Sequence, residues 1–159
     1  MTITDLQDLQ QQIRGFINSP RKQSGLLRDS AGWNKLCSAL DVIGDTELAI
    51  DAYLTRQPTS DVGESYLIVY GILQVLLTQQ DAVKHLCESL SIKVAFPKAL
   101  QRIREIRSNA VGHPMEGREN KASKSNFIQR VSLSERGFTL ITVFSDDRPY
   151  SRITVLFLT

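Results

Sequence analysis

A chain of 159 residues that is 42% hydrophobic is long enough for one domain with a real core, and too apolar to be disordered. Its net charge of +2 excludes a chain that is a polyelectrolyte throughout, but the charge is uneven. Between Pro97 and Arg152 eleven basic residues stand against six acidic ones, a local +5, and the remainder carries −3. A basic C-terminal half suits an anionic partner, while its interspersed acids also suit ordinary solvated surface.

In chain order, Leu6, Leu9, Ile13, Phe16 and Ile17 recur at helical spacing, and Pro20 closes the segment, which predicts a first helix over about 5–18. Residues 19–30 are mostly polar and read as a loop. A second helical pattern runs through Trp33, Leu36, Cys37, Leu40 and Ile43, is interrupted at Gly44-Asp45, and resumes at Leu48, Ala49, Ala52 and Tyr53. That predicts two consecutive helices or one kinked helix. Gln57 to Gly63 is a break, followed by a long helix over about 64–89. Its first half is apolar all round and should be central, and Gln79-Gln80-Asp81 reads as the point where it emerges to solvent. Pro97 opens a last helix, which should end by His113 because the residue before Pro114 is pushed out of the helical region.

Beyond Pro114 the period changes. A polar loop over 115–125 precedes three apolar runs, 127–133, 138–144 and 153–158, rich in Thr, Val, Ile and Phe. Gly137 and Asp146-Asp147-Arg148-Pro149 mark the turns between them. The expected class is α+β: mainly α, with four to five helices over 1–115, followed over 116–159 by a small antiparallel three-stranded element.

Several function classes are set aside. Cys37 and Cys87 lie in apolar helical patterns and read as free thiols, and with His85 and His113 they make no zinc spacing. The N-terminus has no signal-peptide pattern. The apolar run from Tyr66 to Leu77 is shorter than the roughly 20 residues that span a bilayer. A cytoplasmic protein with no membrane partner is the expectation.

The segment that carries chemistry is Arg107-Ser108-Asn109-Ala110-Val111-Gly112-His113-Pro114. Projected at about 100° per residue, Arg107 falls inside the apolar arc set by Leu100, Ile103, Ile106 and Ala110, with His113 at its edge near Asn109. A guanidinium in that arc needs a counter-charge or a phosphate, and Asp81 is one candidate. The imidazole of a histidine at a helix end can give and take a proton near neutrality. A salt bridge for Arg107 and a capping role for His113 are the plain reading of the same residues.

This segment resembles the Arg-x(4–6)-His motif of the HEPN family, on the last helix of a four- or five-helix array, supported by the central-helix stretches Tyr70 to Gln74 and Gln79-Gln80-Asp81. Ser108 stands where that family often has Asn or Asp, and Asn109 follows one place later. The resemblance implies a metal-independent endoribonuclease with no cofactor, working as a homodimer whose two motif helices face each other. It also implies a toxin or defence role, with an antitoxin or other protein as further partner. On that reading His113 moves the 2′-hydroxyl or leaving-group proton, and Arg107 holds the scissile phosphate. Asn109 orients the imidazole or a phosphate oxygen. The products are a 2′,3′-cyclic phosphate and a 5′-hydroxyl. Arg104, Ser108, Lys121 and Lys124 are the candidates for binding RNA. Two further expectations stand beside this: a non-catalytic HEPN-like dimerisation or nucleic-acid-binding module of a larger protein, and a structural domain whose β element adds a partner strand.

Overall fold

A computed structural model describes residues 3–112, 115–116, 123–134 and 137–157. Among them are five α-helices, α1 (Ile3–Ile17), α2 (Pro20–Leu26), α3 (Ser30–Thr55), α4 (Val62–Ser89) and α5 (Lys98–Arg107), then a π-helical turn at Ser108–Gly112. An antiparallel sheet follows, in the order β1 (Met115–Glu116), β2 (Lys124–Ile128), β3 (Gly137–Phe144), β4 (Ser151–Leu156). The chain is therefore mainly helical with a small sheet. No helix among the described residues is long and apolar enough to cross a membrane.

The chain divides into two compact units, and α3 and α4 run from one into the other. The first, residues 1–52 and 75–96, has a core of Ile17, Leu36, Ala39, Leu40 and Leu86, flanked by Ile13, Leu26, Trp33, Cys37, Ile43 and Leu90. Each helix supplies a stripe at its own period: Ile13 and Ile17 from α1, Leu36, Leu40 and Ile43 from α3, Leu86 and Leu90 from α4. Residues 20–26, expected to be loop, form α2, because Pro20 is pre-set for a first helical turn and Leu26 joins this core. Gly44-Asp45 does not interrupt α3. A Cβ at Gly44 would stand 3.0 Å from Gln10 Nε2, so the missing side chain leaves room for Gln10 to reach across and donate to the Leu40 carbonyl. Asp29 starts α3 by accepting the Gly32 N–H at 3.0 Å, and Asp61 starts α4 by accepting the Glu64 N–H at 2.7 Å.

The second unit, residues 53–74 and 97–159, has a core of Val69, Leu73, Ile106, Ala110, Ile128, Phe138 and Leu140. Leu140 is fully buried and sits opposite both Ile128 and Ile153 in the ladders, so one sheet face packs on the stripes of α4 and α5. On that face Thr142 Oγ1 donates to Asn126 Oδ1 at 2.7 Å, satisfying a buried polar pair. The first long strand is Lys124–Ile128 rather than 127–133, because Arg130–Ser132 makes a 3₁₀ turn that leaves Val131 89% exposed. Ser132 Oγ takes the Thr139 N–H at 2.8 Å in place of a strand partner. Met115–Glu116, expected within a loop, adds a short fourth strand. Gly137 is required at the head of β3: its φ is +150°, and a Cβ there would lie 2.0 Å from the Val155 carbonyl oxygen.

Candidate functional site

The second unit carries the motif. Arg107 ends α5 and is half-buried, facing α4 as its place in the apolar arc predicts. Its partner there is a neutral amide: Nε and Nη2 both donate to Gln74 Oε1, at 2.9 and 2.6 Å. The Nη1 end folds over Gly112, where a Cβ would stand 2.5 Å away. Gly112 thus makes room for the guanidinium of its own helix, a use of glycine by close approach rather than by backbone angle.

Ser108 and Asn109, both half-buried, lie in the π-helical turn with Ala110, which anchors the turn in the core. A π turn closes hydrogen bonds one residue later than an α turn, so the 100° projection used for the sequence stops being valid beyond Arg107. Arg104, half-buried one turn before Arg107, has its carbonyl bonded by the Ser108 N–H. Lys124 is half-buried at the start of β2, a strand that packs beside the π-helical turn. Arg104, Arg107, Ser108, Asn109 and Lys124 therefore belong to one unit. His113 and Lys121 lie outside the described residues.

The face of α4 next to this arginine is open. Leu67 is 74% exposed, Tyr70 and Gln74 are exposed, and a Cβ at Gly71 would meet nothing within 4 Å. The first half of α4 is consequently not enclosed on all sides, as its composition suggested. Its buried stripe is Ser65, Val69, Ile72 and Leu73, and Tyr66 stacks at a tilt on Tyr70 with centroids 5.7 Å apart. Gln80, expected where the helix meets solvent, is instead 5% exposed, two turns beyond Leu73 on the same stripe, with both amide atoms unpartnered among the described residues. His85 is exposed, as an amphipathic position predicts.

Sequence reasoning missed two residues. Gln74 is the lone polar side chain, glycine aside, in the apolar run from Tyr66 to Leu77, and a lone amide in such a run signals a partner. Glu47 continues the α3 stripe Leu36, Leu40, Ile43 and is 2% exposed, with neither carboxylate oxygen hydrogen-bonded. Burial pushes its carboxyl above the ordinary glutamate range. No protein-family model, curated protein or solved structure matches the chain.

Proposed function

We propose that the chain is a metal-independent endoribonuclease of HEPN type that acts as a homodimer, with Arg107 and His113 as its catalytic pair. The observation that carries this reading is the way Arg107 is held. A neutral acceptor orients a guanidinium without cancelling its charge, and Gln74 takes the side-on edge, Nε and Nη2. The end-on edge, Nη1 and Nη2, is the one through which Arg107 would grip a phosphate in bidentate fashion. Fixed in advance, such a cation stabilises charge developing on the phosphoryl oxygens without reorganising during reaction.

The rest follows the chemistry of RNA self-cleavage. The His113 imidazole of one copy removes the 2′-hydroxyl proton, that oxygen attacks the adjacent phosphorus, and as the P–O5′ bond breaks the imidazolium of the second copy's His113 protonates the 5′-oxygen, giving a 2′,3′-cyclic phosphate and a 5′-hydroxyl. Arg104, Ser108, Lys121 and Lys124 contact the RNA backbone, and Asn109 orients the imidazole or a phosphate oxygen. The open α4 face of Leu67, Tyr70 and Gly71, continuous with Gln74, supports a second copy docking beside Arg107. A toxin or defence role, checked by an antitoxin, is the setting that the family resemblance implies for such a nuclease.

The test is RNA incubated with the protein in EDTA. Cleavage that ends in a cyclic phosphate and is abolished by both Arg107→Ala and His113→Ala is the expected result. RNA that is bound but never cut removes the enzyme and leaves a nucleic-acid-binding module.

A further inference from the structure

The sheet of the second unit has two unlike faces. Strand alternation sends Ile128, Phe138, Leu140, Ile153 and Val155 to the face that packs on the helices. On the opposite face the register sets Phe127, Ile141 and Arg152 side by side across three strands, with Ser125 and Val143 in the next row. Ile141 is sunk between its neighbours at 9% exposure, while Phe127 projects at 49%. Tyr150, two residues before Arg152, stands on this face as well: it is 57% exposed, and the Arg152 guanidinium lies 5.1 Å from its ring centroid.

The charge here is of one sign. Arg152 is the one ionic side chain at the outward positions of β2, β3 and β4, where the others are Ser, Thr, Gly or apolar. Among the described residues it has no carboxylate partner, and Asp146 in the adjoining turn is taken by Arg148 Nε at 2.8 Å. Neither Phe127 nor Tyr150 belongs to a ring–ring pair among the described residues. The face therefore offers two unpaired aromatic rings and a cation, with no acid among them.

We infer that this face binds single-stranded RNA, with bases stacked on Phe127 and Tyr150 and a phosphate held by Arg152. An unstacked base presents a flat apolar face that an exposed ring covers, and a guanidinium completes the site for the backbone anion. Tyr150 lies two strands across and two residues along from Phe127, roughly 12 Å at strand spacings of about 4.8 Å and about 3.4 Å per residue, so the rings take separate bases of one strand. A docked protein segment would need projecting aliphatic groups, whereas the central aliphatic residue, Ile141, is sunk. The choice of RNA over single-stranded DNA rests on the nuclease reading; the stacking geometry does not.

Binding is read by fluorescence anisotropy on the full chain with a labelled 2′-O-methyl oligouridine, which lacks the attacking hydroxyl and cannot be cut. Saturable binding is expected, with the same strand annealed to its complement at least about tenfold weaker because its base faces are already stacked. No binding, or equal binding of the duplex, overturns the inference. Phe127→Ala and Tyr150→Ala each weaken binding at least about fivefold, the low end of one lost stack, and Phe127→Trp retains it. Arg152→Gln lowers the slope of log affinity against log salt by about 0.7, the share of one phosphate on a single strand. A smaller loss in either alanine variant, or an unchanged salt slope, overturns it. A measurement on the wild-type chain guards against a variant that does not fold: amide shifts induced by the oligouridine centre on β2, β3 and β4, and shifts centred elsewhere overturn the inference. Tighter binding of oligodeoxyuridine than of the 2′-O-methyl strand overturns the assignment to RNA. Unmodified RNA that is bound through these residues yet never cut in EDTA removes the nuclease and leaves this surface, so the two failures are told apart.

Discussion

Replacing Gly112 with alanine separates the position of Arg107 from the stability of the fold. The new Cβ would stand 2.5 Å from Nη1 and 3.3 Å from Cζ of Arg107. Restoring an ordinary van der Waals contact moves the guanidinium by about 1 Å. The obstacle is the far end of a flexible side chain, so the backbone need not shift. Alanine in a helical turn also recovers up to about 1 kcal/mol of propensity relative to glycine. Against that stands the loss of one or both bonds to Gln74 Oε1, a net of about 1 kcal/mol for a half-buried group. The two nearly cancel, and the midpoint of urea unfolding should change little. Catalysis should not be so forgiving, because a misplacement of about 1 Å at a phosphate-holding group costs on the order of 100-fold in rate. Single-turnover cleavage of a fluorescent RNA, run beside a urea melt, reads both quantities. Cleavage within threefold of wild type by a folded Gly112→Ala protein would refute the idea that the placement of Arg107 sets the activity.

Three other outcomes are expected. Gly71→Arg meets open space in the single chain, so its circular dichroism should match wild type, while its mass by light scattering drops to that of one copy; an unchanged dimer mass excludes this face as the interface. Glu47→Gln should alter the pH dependence of stability. The carboxyl is raised by burial, so its favourable contribution is complete below the unfolded glutamate value of about 4.3 and is lost as pH rises through the folded value. The variant should therefore gain on wild type between acid and neutral pH, on the scale of the roughly 1–3 kcal/mol carried by an unpartnered buried group, and parallel stability curves contradict the assignment. Gly137→Ala combines a backbone angle disfavoured for side chains with a clash on Val155, and should cost about 2 kcal/mol or more in urea unfolding; a change below 0.5 kcal/mol, well under the ~1–3 kcal/mol of strained positions, contradicts the strain.

The long helices were legible because their apolar residues repeat at helical spacing and their ends carry chemical signals, Asp61 before α4 and Pro97 before α5. The short α2 was readable in principle, since Ser19-Pro20 is a helix start, but its polar face hid it. Gly44 was misread because composition reports a missing side chain without saying what fills the space, here Gln10. The first strand was displaced for a similar reason. Its buried anchor is the polar Asn126 paired with Thr142, while the apolar Phe127 and Val131 are exposed. At the candidate site, the seam occupied by Arg107 was visible from periodicity alone. Its partner was not, because a helical projection shows which way a residue faces and not which residue it meets. Glu47 was a lone polar residue on an apolar stripe, and Gln74 a lone amide within an apolar run.

The π-helical turn at Ser108–Gly112 stores one residue more than a regular helix would use over the same rise. Deleting a single residue there could be absorbed by tightening the coil, with little disturbance to what precedes it. Because the residue removed is the extra one, the chain downstream would leave the helix in nearly the same phase. The turn thus acts as slack in the coil: a one-residue deletion inside it re-aims the chain that follows far less than the same deletion within α5, where each residue carries about 100° of rotation.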